Sequence, residues 1–117
     1  MNKLFYLETI EALERHGHNG DEVIFVTDGI HNCFWLDFVE QLTGIGPLKY
    51  DAGYGIVIIN LDLKIVGSNW WLERQQYDGK EWWAYKEQPK NPCQPGKLRI
   101  LEKENVFTFE DYTKSLY

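Results

Sequence analysis

The chain has 117 residues, of which 44% are hydrophobic, 15% aromatic and 26% charged, and its formal net charge is −6 at pH 7. This size and mixture describe one folded domain spanning residues 1–117, large enough to bury a core of its own, and exclude a disordered chain. Net acidity disfavours direct binding to a phosphate backbone, and no apolar run approaches the roughly 20 residues that a membrane span needs.

The charge is unevenly spread. Residues 1–62 carry ten acids against three Lys/Arg, whereas residues 63–117 carry eight against nine. An acidic half suits either simple solubility or docking on a basic surface. The opening "MNKLFYLETIEALERHG" has glutamates where a secretory leader needs an unbroken apolar stretch, so the expected location is the cytoplasm. Cys33 and Cys93 stand alone with no CxxC spacing. They read as reduced thiols and imply neither a disulfide framework nor a structural metal site.

Taken in chain order, the first element is a helix over about residues 3–16. Tyr6, Ile10 and Leu13 form its apolar side with Phe5 and Ala12 flanking, while Glu8, Glu11 and Arg15 face away. Gly17 is suited to end it in a left-handed conformation. "EVIFVTDG" (22–29) reads as a short buried strand. Asn32 is the expected N-cap of a second helix across "CFWLDFVEQLT", with Trp35, Phe38, Val39 and Leu42 on its apolar side. "GIGPLKYDAGYG" follows as a connector.

From Gly55 the pattern changes to strands. "IVIIN" and "LKIVGSNWWLERQQY" are expected to be two of them, with a bulge or break at Gly67–Asn69. Asp78-Gly79 is the strongest hairpin signal in the chain, a two-residue type I′ turn, and "KEWWAYKE" returns from it. Pro89, Pro92 and Pro95 mark an extended connector to an expected strand "KLRIL" and a C-terminal segment "VFTFEDYTKSLY" of open type. The fold class is therefore α+β, with N-terminal helices packed on a mostly antiparallel β-sheet that contains a Trp-rich hairpin.

The hairpin register follows from its turn. Tyr77 pairs with Lys80, Gln76 with Glu81, Gln75 with Trp82, Arg74 with Trp83, and so on out to Trp71 with Lys86. Alternation then sorts Trp70, Leu72, Arg74, Trp83 and Tyr85 onto the core face, with Arg74 over the Trp83 ring. Trp71, Glu73, Gln75, Tyr77, Lys80, Trp82, Ala84 and Lys86 go to the other face. Each Trp-Trp pair thus gives one indole to each side. For Trp71 and Trp82 two readings stand: cover by the helices or the tail, or a contact surface of rigid aromatic anchors within a polar rim.

"WWLERQQYDGKEWWAYKEQP" resembles a segment of small, mostly uncharacterised phage and mobile-element proteins of Gram-positive bacteria, which share a pattern near WWLER, then YDG, then EWW and a following Pro. The resemblance covers about 20 residues. It implies a small acidic protein comparable, by analogy in size and charge, with inhibitors of host defence such as anti-CRISPR proteins, and it carries no residue roles.

Chemistry is thinly signalled. "GIGPLKYDAGYG" lacks the spacing of a phosphate-binding loop. "TDGIHNC" places Asp28 and His31 near Cys33 as orienter and base for a nucleophile, against the plainer reading of a buried thiol. His16, His18 and Asp21 read as solvated loop residues and not as metal ligands. Glu73 and Glu81 fall on opposite hairpin faces, which argues against a glycosidase pair.

The expectation is a non-enzymatic module with no cofactor or metal, working as a protein-binding inhibitor of a host defence protein, with a Cas effector nuclease as its sharpest form. Two patches are candidates for the contact: the acidic helical set Glu8, Glu11, Glu14, Asp37 and Glu40, and the aromatic set Trp71, Tyr77 and Trp82 with Lys80 and Lys86. The rivals are a small ligand-binding domain that stacks sugars or bases on the same hairpin face, and a hydrolase built on Cys33. The same aromatic strip also suits a homodimer seam.

Overall fold

A computed structural model of the chain describes residues 2–53 and 55–102. The expected C-terminal segment "VFTFEDYTKSLY" lies outside the described residues. The architecture is α+β, and the described residues form two α-helices, a two-stranded sheet and a five-stranded antiparallel sheet.

Residues Asn2–Leu4 form a strand, β1, ahead of the first helix, α1 (Phe5–Arg15). Nothing in the residue pattern signals this strand. It exists because β4 (Lys49–Asp51) lies beside it, with Lys3 paired to Tyr50 and Leu4 to Lys49. A strand pair of three residues is specified by its partner and not by local propensity. The end of α1 does follow its sequence signal. Gly17 has φ +77°, its N–H reaches the Glu14 carbonyl, and the His18 N–H reaches the Leu13 carbonyl. That is a Schellman closure.

The buried face of α1 is rotated from the expected one. Phe5, Thr9, Ala12 and Leu13 are inside, whereas Tyr6 is 40% exposed. Thr9 explains the rotation: its hydroxyl donates to the Phe5 carbonyl and accepts the Trp83 indole N–H at 2.9 Å. A threonine so satisfied sits in a core without desolvation penalty, and helical spacing then brings Phe5 and Ala12 inward with it.

A short 3-10 turn at Gly20–Glu22 leads to β2 (Phe25–Thr27) and β3 (Asn32–Cys33). Asn32 is therefore not an N-cap. It pairs with Thr27, and α2 (Trp35–Ile45) starts after Phe34, with no side-chain cap. Phe38 is the buried residue of α2, and Trp35 and Leu42 pack beside it. The Trp35 indole lies against Gly20 where any β-carbon would stand.

The main sheet runs in the order β3-β2-β5-β6-β7, with β5 at Lys64–Val66, β6 at Trp70–Tyr77 and β7 at Lys80–Glu87. The long stretch read as one strand is two, reversing between Gly67 and Trp70, whose N–H and carbonyl bond at 2.8 Å. The expected break at Gly67–Asn69 is thus a full hairpin turn. The β6–β7 hairpin matches the sequence register pair for pair, from Tyr77 with Lys80 to Trp71 with Lys86. Asp78 and Gly79 both have positive φ, as a type I′ turn requires.

Two expected strands are absent. "IVIIN" is irregular, with Ile59 buried and Ile56 73% exposed. "KLRIL" forms no ladder, and Leu98 and Ile100 are exposed. Ile58 and Ile59 give their N–H groups to the Glu81 carboxylate instead of to a strand. The core comprises Phe5, Leu13, Val26, Ile65, Leu72 and Trp83 with their neighbours. Each fully buried aliphatic or aromatic side chain there contributes about 1.5–3 kcal/mol. Both helices lie on this one side of the sheet: Phe5 of α1 stacks on Trp83, and Phe38 of α2 joins the same cluster.

Candidate interaction surface

The hairpin is rigid because of what lies beneath it. On the core face the Arg74 side chain is fully buried, and its guanidinium meets Glu8 at 2.8 Å, the Tyr50 hydroxyl at 2.9 Å and Glu81 at 3.1 Å. Rings of Trp83, Phe5 and Tyr50 surround it, the nearest at 4.9 Å from centroid to Cζ. Tyr50 donates to Glu8 at 2.6 Å, and burial, followed by that carboxylate, pushes its phenol well above the usual range. Glu81, also fully buried, accepts the backbone N–H groups of Ile58 and Ile59 at 2.7 and 2.9 Å. One cation thus ties α1, β4, β6, β7 and the 58–59 loop together. Arg74 over Trp83 was legible in the sequence. Glu81 was missed, although the same register sets it diagonal to Arg74 on the core face.

A second clamp lies at the other end of the hairpin. His18 stacks on Trp70 at 4.0 Å, and its ring nitrogens meet Glu22 at 2.6 Å and the Tyr85 hydroxyl at 3.0 Å. His16 stacks on Tyr85 at 4.0 Å. Both rings hold the end of α1 to the sheet; the expectation of a solvated loop side chain is corrected for the half-buried His18, whereas His16 and Asp21 are exposed. Among the described residues no group of three His, Cys, Asp or Glu side chains is placed to hold a metal ion.

Among the described residues no helix lies on the opposite face of the sheet. Here the hairpin presents Tyr77, 75% exposed, and Trp82, 38% exposed, with Lys80 and Lys86 exposed beside them. Trp71 is half-buried, and its indole N–H donates to Glu73 at 2.8 Å. The strand register continues this face through Val66 and Lys64 of β5 to Phe25 and Thr27 of β2. The aromatic set predicted from sequence therefore shares one surface, although Trp71 contributes less area than Trp82.

The acidic set divides. Glu11 and Glu14 are exposed on α1, and Asp37 and Glu40 are exposed on α2. Glu8 does not join them. Its carboxylate is 13% exposed and is engaged by Arg74, Tyr50 and Lys3. Periodicity placed it on the outer side of α1, and the buried guanidinium draws it inward.

At the "TDGIHNC" turn, Asp28 accepts the N–H groups of Ile30 and His31 at 2.8 and 2.6 Å and meets the His31 ring at 3.2 Å. Those backbone bonds hold its carboxyl down at about 2. Cys33 borders an apolar cleft of ≈ 320 Å³ with Phe38, Leu42 and Ile59. Burial first, then Asp37 and Asp28, push its thiol up, the opposite of an activated nucleophile. Asp28, His31 and Cys33 all line this cleft, but the turn hydrogen-bonds only Asp28 to His31, and Cys33 sits in β3, two residues before α2 begins.

Among the described residues no helix is long and apolar enough to cross a membrane. No family model, no curated protein and no solved structure matches this chain.

Proposed function

We propose that this chain is a protein-binding module that acts by occupying the surface of a host defence protein, with a Cas effector nuclease as the sharpest form of the reading. The observation that carries it is the sheet face that no described helix covers, where Tyr77 and Trp82 stand exposed among Lys80 and Lys86 while α1 and α2 pack on the other side. Large rigid side chains ringed by polar ones are the usual anchors of a protein interface. Because these anchors sit on a hairpin fixed from below by Arg74, binding orders few side chains, which keeps its entropic cost low. Glu11, Glu14, Asp37 and Glu40 supply a separate acidic flank that speeds encounter with a basic partner.

Stacking of a sugar or base on the same face is the rival reading. The two differ in their response to salt and in what they retain. Tagged protein is incubated with a Gram-positive host lysate at low and high salt, beside the Trp71→Ala/Trp82→Ala double variant. One stoichiometric protein, lost in the variant, supports the proposal, and loss at high salt brings in the acidic flank. Retention of no protein under any condition, with a neutral oligosaccharide bound independently of salt, transfers the face to small-ligand binding.

A further inference from the structure

β7 is an edge strand, and its free edge has a defined chemistry. In the β6–β7 register, alternate residues of β7 turn their backbone groups toward β6, and the others turn theirs away. Glu81 belongs to the outward set, since its N–H reaches the Ala52 carbonyl at 2.9 Å. Trp83, Tyr85 and Glu87 follow it in phase, and among the described residues their outward backbone groups have no partner. The edge is therefore closed at Glu81 and open beyond it.

A groove of ≈ 520 Å³ lies beside Trp82 and Trp83, and the β1–α1 segment walls it with Leu4, Leu7 and Ala12 and with the charged Lys3, Glu8, Glu11 and Arg15. α1 runs along the strand: Thr9 bonds Trp83, and further on His16 stacks on Tyr85. An added strand would lie about 4.8 Å from β7 with its side chains alternating between two environments. Those on the helix side meet Leu7 and Ala12 of α1, flanked by Glu11 and Arg15. Those on the other side meet Lys80, Trp82 and Lys86.

We infer that the open edge of β7 receives an extended segment of the partner protein, with apolar side chains toward α1 alternating with acidic side chains toward Lys80 and Lys86. Main-chain bonds would supply attachment, and the alternation would supply specificity. The lysines also discriminate. They disfavour a second copy of the same edge, which would bring four lysines onto one face, and they favour an anionic strand. This inference rests on the protein-binding reading and adds the mode of attachment to it.

The test is selection from a random dodecapeptide library against the full chain, followed by amide exchange with the selected peptide. Enriched peptides should alternate apolar and acidic residues, and the amides of Trp83, Tyr85 and Glu87 should slow on binding. Glu87→Pro removes an N–H that faces the open edge and leaves the β6 ladder intact. It should weaken the selected peptides by about tenfold or more. Lys86→Glu, which leaves the backbone untouched, should weaken acidic peptides selectively. Unchanged near-UV circular dichroism shows that each variant is folded.

Equal binding by wild type and Glu87→Pro overturns the inference, as does exchange protection confined to other strands. A library with no binder also overturns it. The protein-binding reading survives each of these three results if lysate capture still depends on Trp71 and Trp82. Micromolar dimerisation that Glu87→Pro dissolves would assign the edge to a second copy and overturn the peptide occupant.

Discussion

Replacing Arg74 by methionine isolates the contribution of the buried cation, because methionine keeps most of the stem volume and removes the charge. The guanidinium is fully buried and meets two carboxylates and a phenol within 3.1 Å. Its loss leaves Glu81, also fully buried, with only the N–H groups of Ile58 and Ile59, while Glu8 keeps Tyr50 and Lys3. Breaking a buried pair in this way costs about 3–5 kcal/mol. The lower end applies here, because each carboxylate retains other donors. For a domain with a urea m-value of about 1–1.5 kcal/mol/M, 3 kcal/mol lowers the unfolding midpoint by at least about 2 M. Tryptophan fluorescence follows the transition, with Trp83 packed against Arg74 as an internal reporter. The double variant Arg74→Met/Glu81→Gln removes the orphaned charge and should recover more than about 1 kcal/mol of the loss. Refutation would be a single variant within about 1 kcal/mol of wild type, or strict additivity in the double variant, since either means that the pair carries no net coupling.

Gly67 lies directly against the Trp70 indole, where a β-carbon has no room, so Gly67→Ala should cost about 1–3 kcal/mol in the same urea assay, and a neutral result would mean that Trp70 has another rotamer at no cost. With Cys33 half-buried and its thiol pushed up while Cys93 is exposed, iodoacetamide at pH 8 should label Cys93 at least about tenfold faster by peptide mass spectrometry. Asp28 has its carboxyl depressed from 3.8 to about 2 by the N–H groups of His31 and Ile30, so its support of the turn is complete above about 3.8 and is lost as pH falls through about 2. The amide shifts of Ile30 and His31, read by NMR, should show that low midpoint. A midpoint near 3.8 would mean that those bonds are absent in solution.

What the chain dictated by itself is the hairpin. Asp78-Gly79 can take two consecutive positive φ values, and that fixes the register. Alternation then fixes which of the doubled tryptophans goes inward. Local chemistry sufficed because each step concerns residues adjacent across one turn. The end of α1 was legible for the same reason, through Gly17. Tertiary structure decided the rest. Phe5 and Thr9, not Tyr6, face the core because Trp83 needs an acceptor there. Glu8 turns inward because Arg74, 66 residues away, is buried beneath it. "IVIIN" stays irregular because its backbone donors go to the Glu81 carboxylate and not to a strand. Asn2–Leu4 becomes extended only because Lys49–Asp51 lies alongside. Each of these outcomes depends on a charge, acceptor or edge far away in the chain, and periodicity records only what a residue is, not what will lie against it.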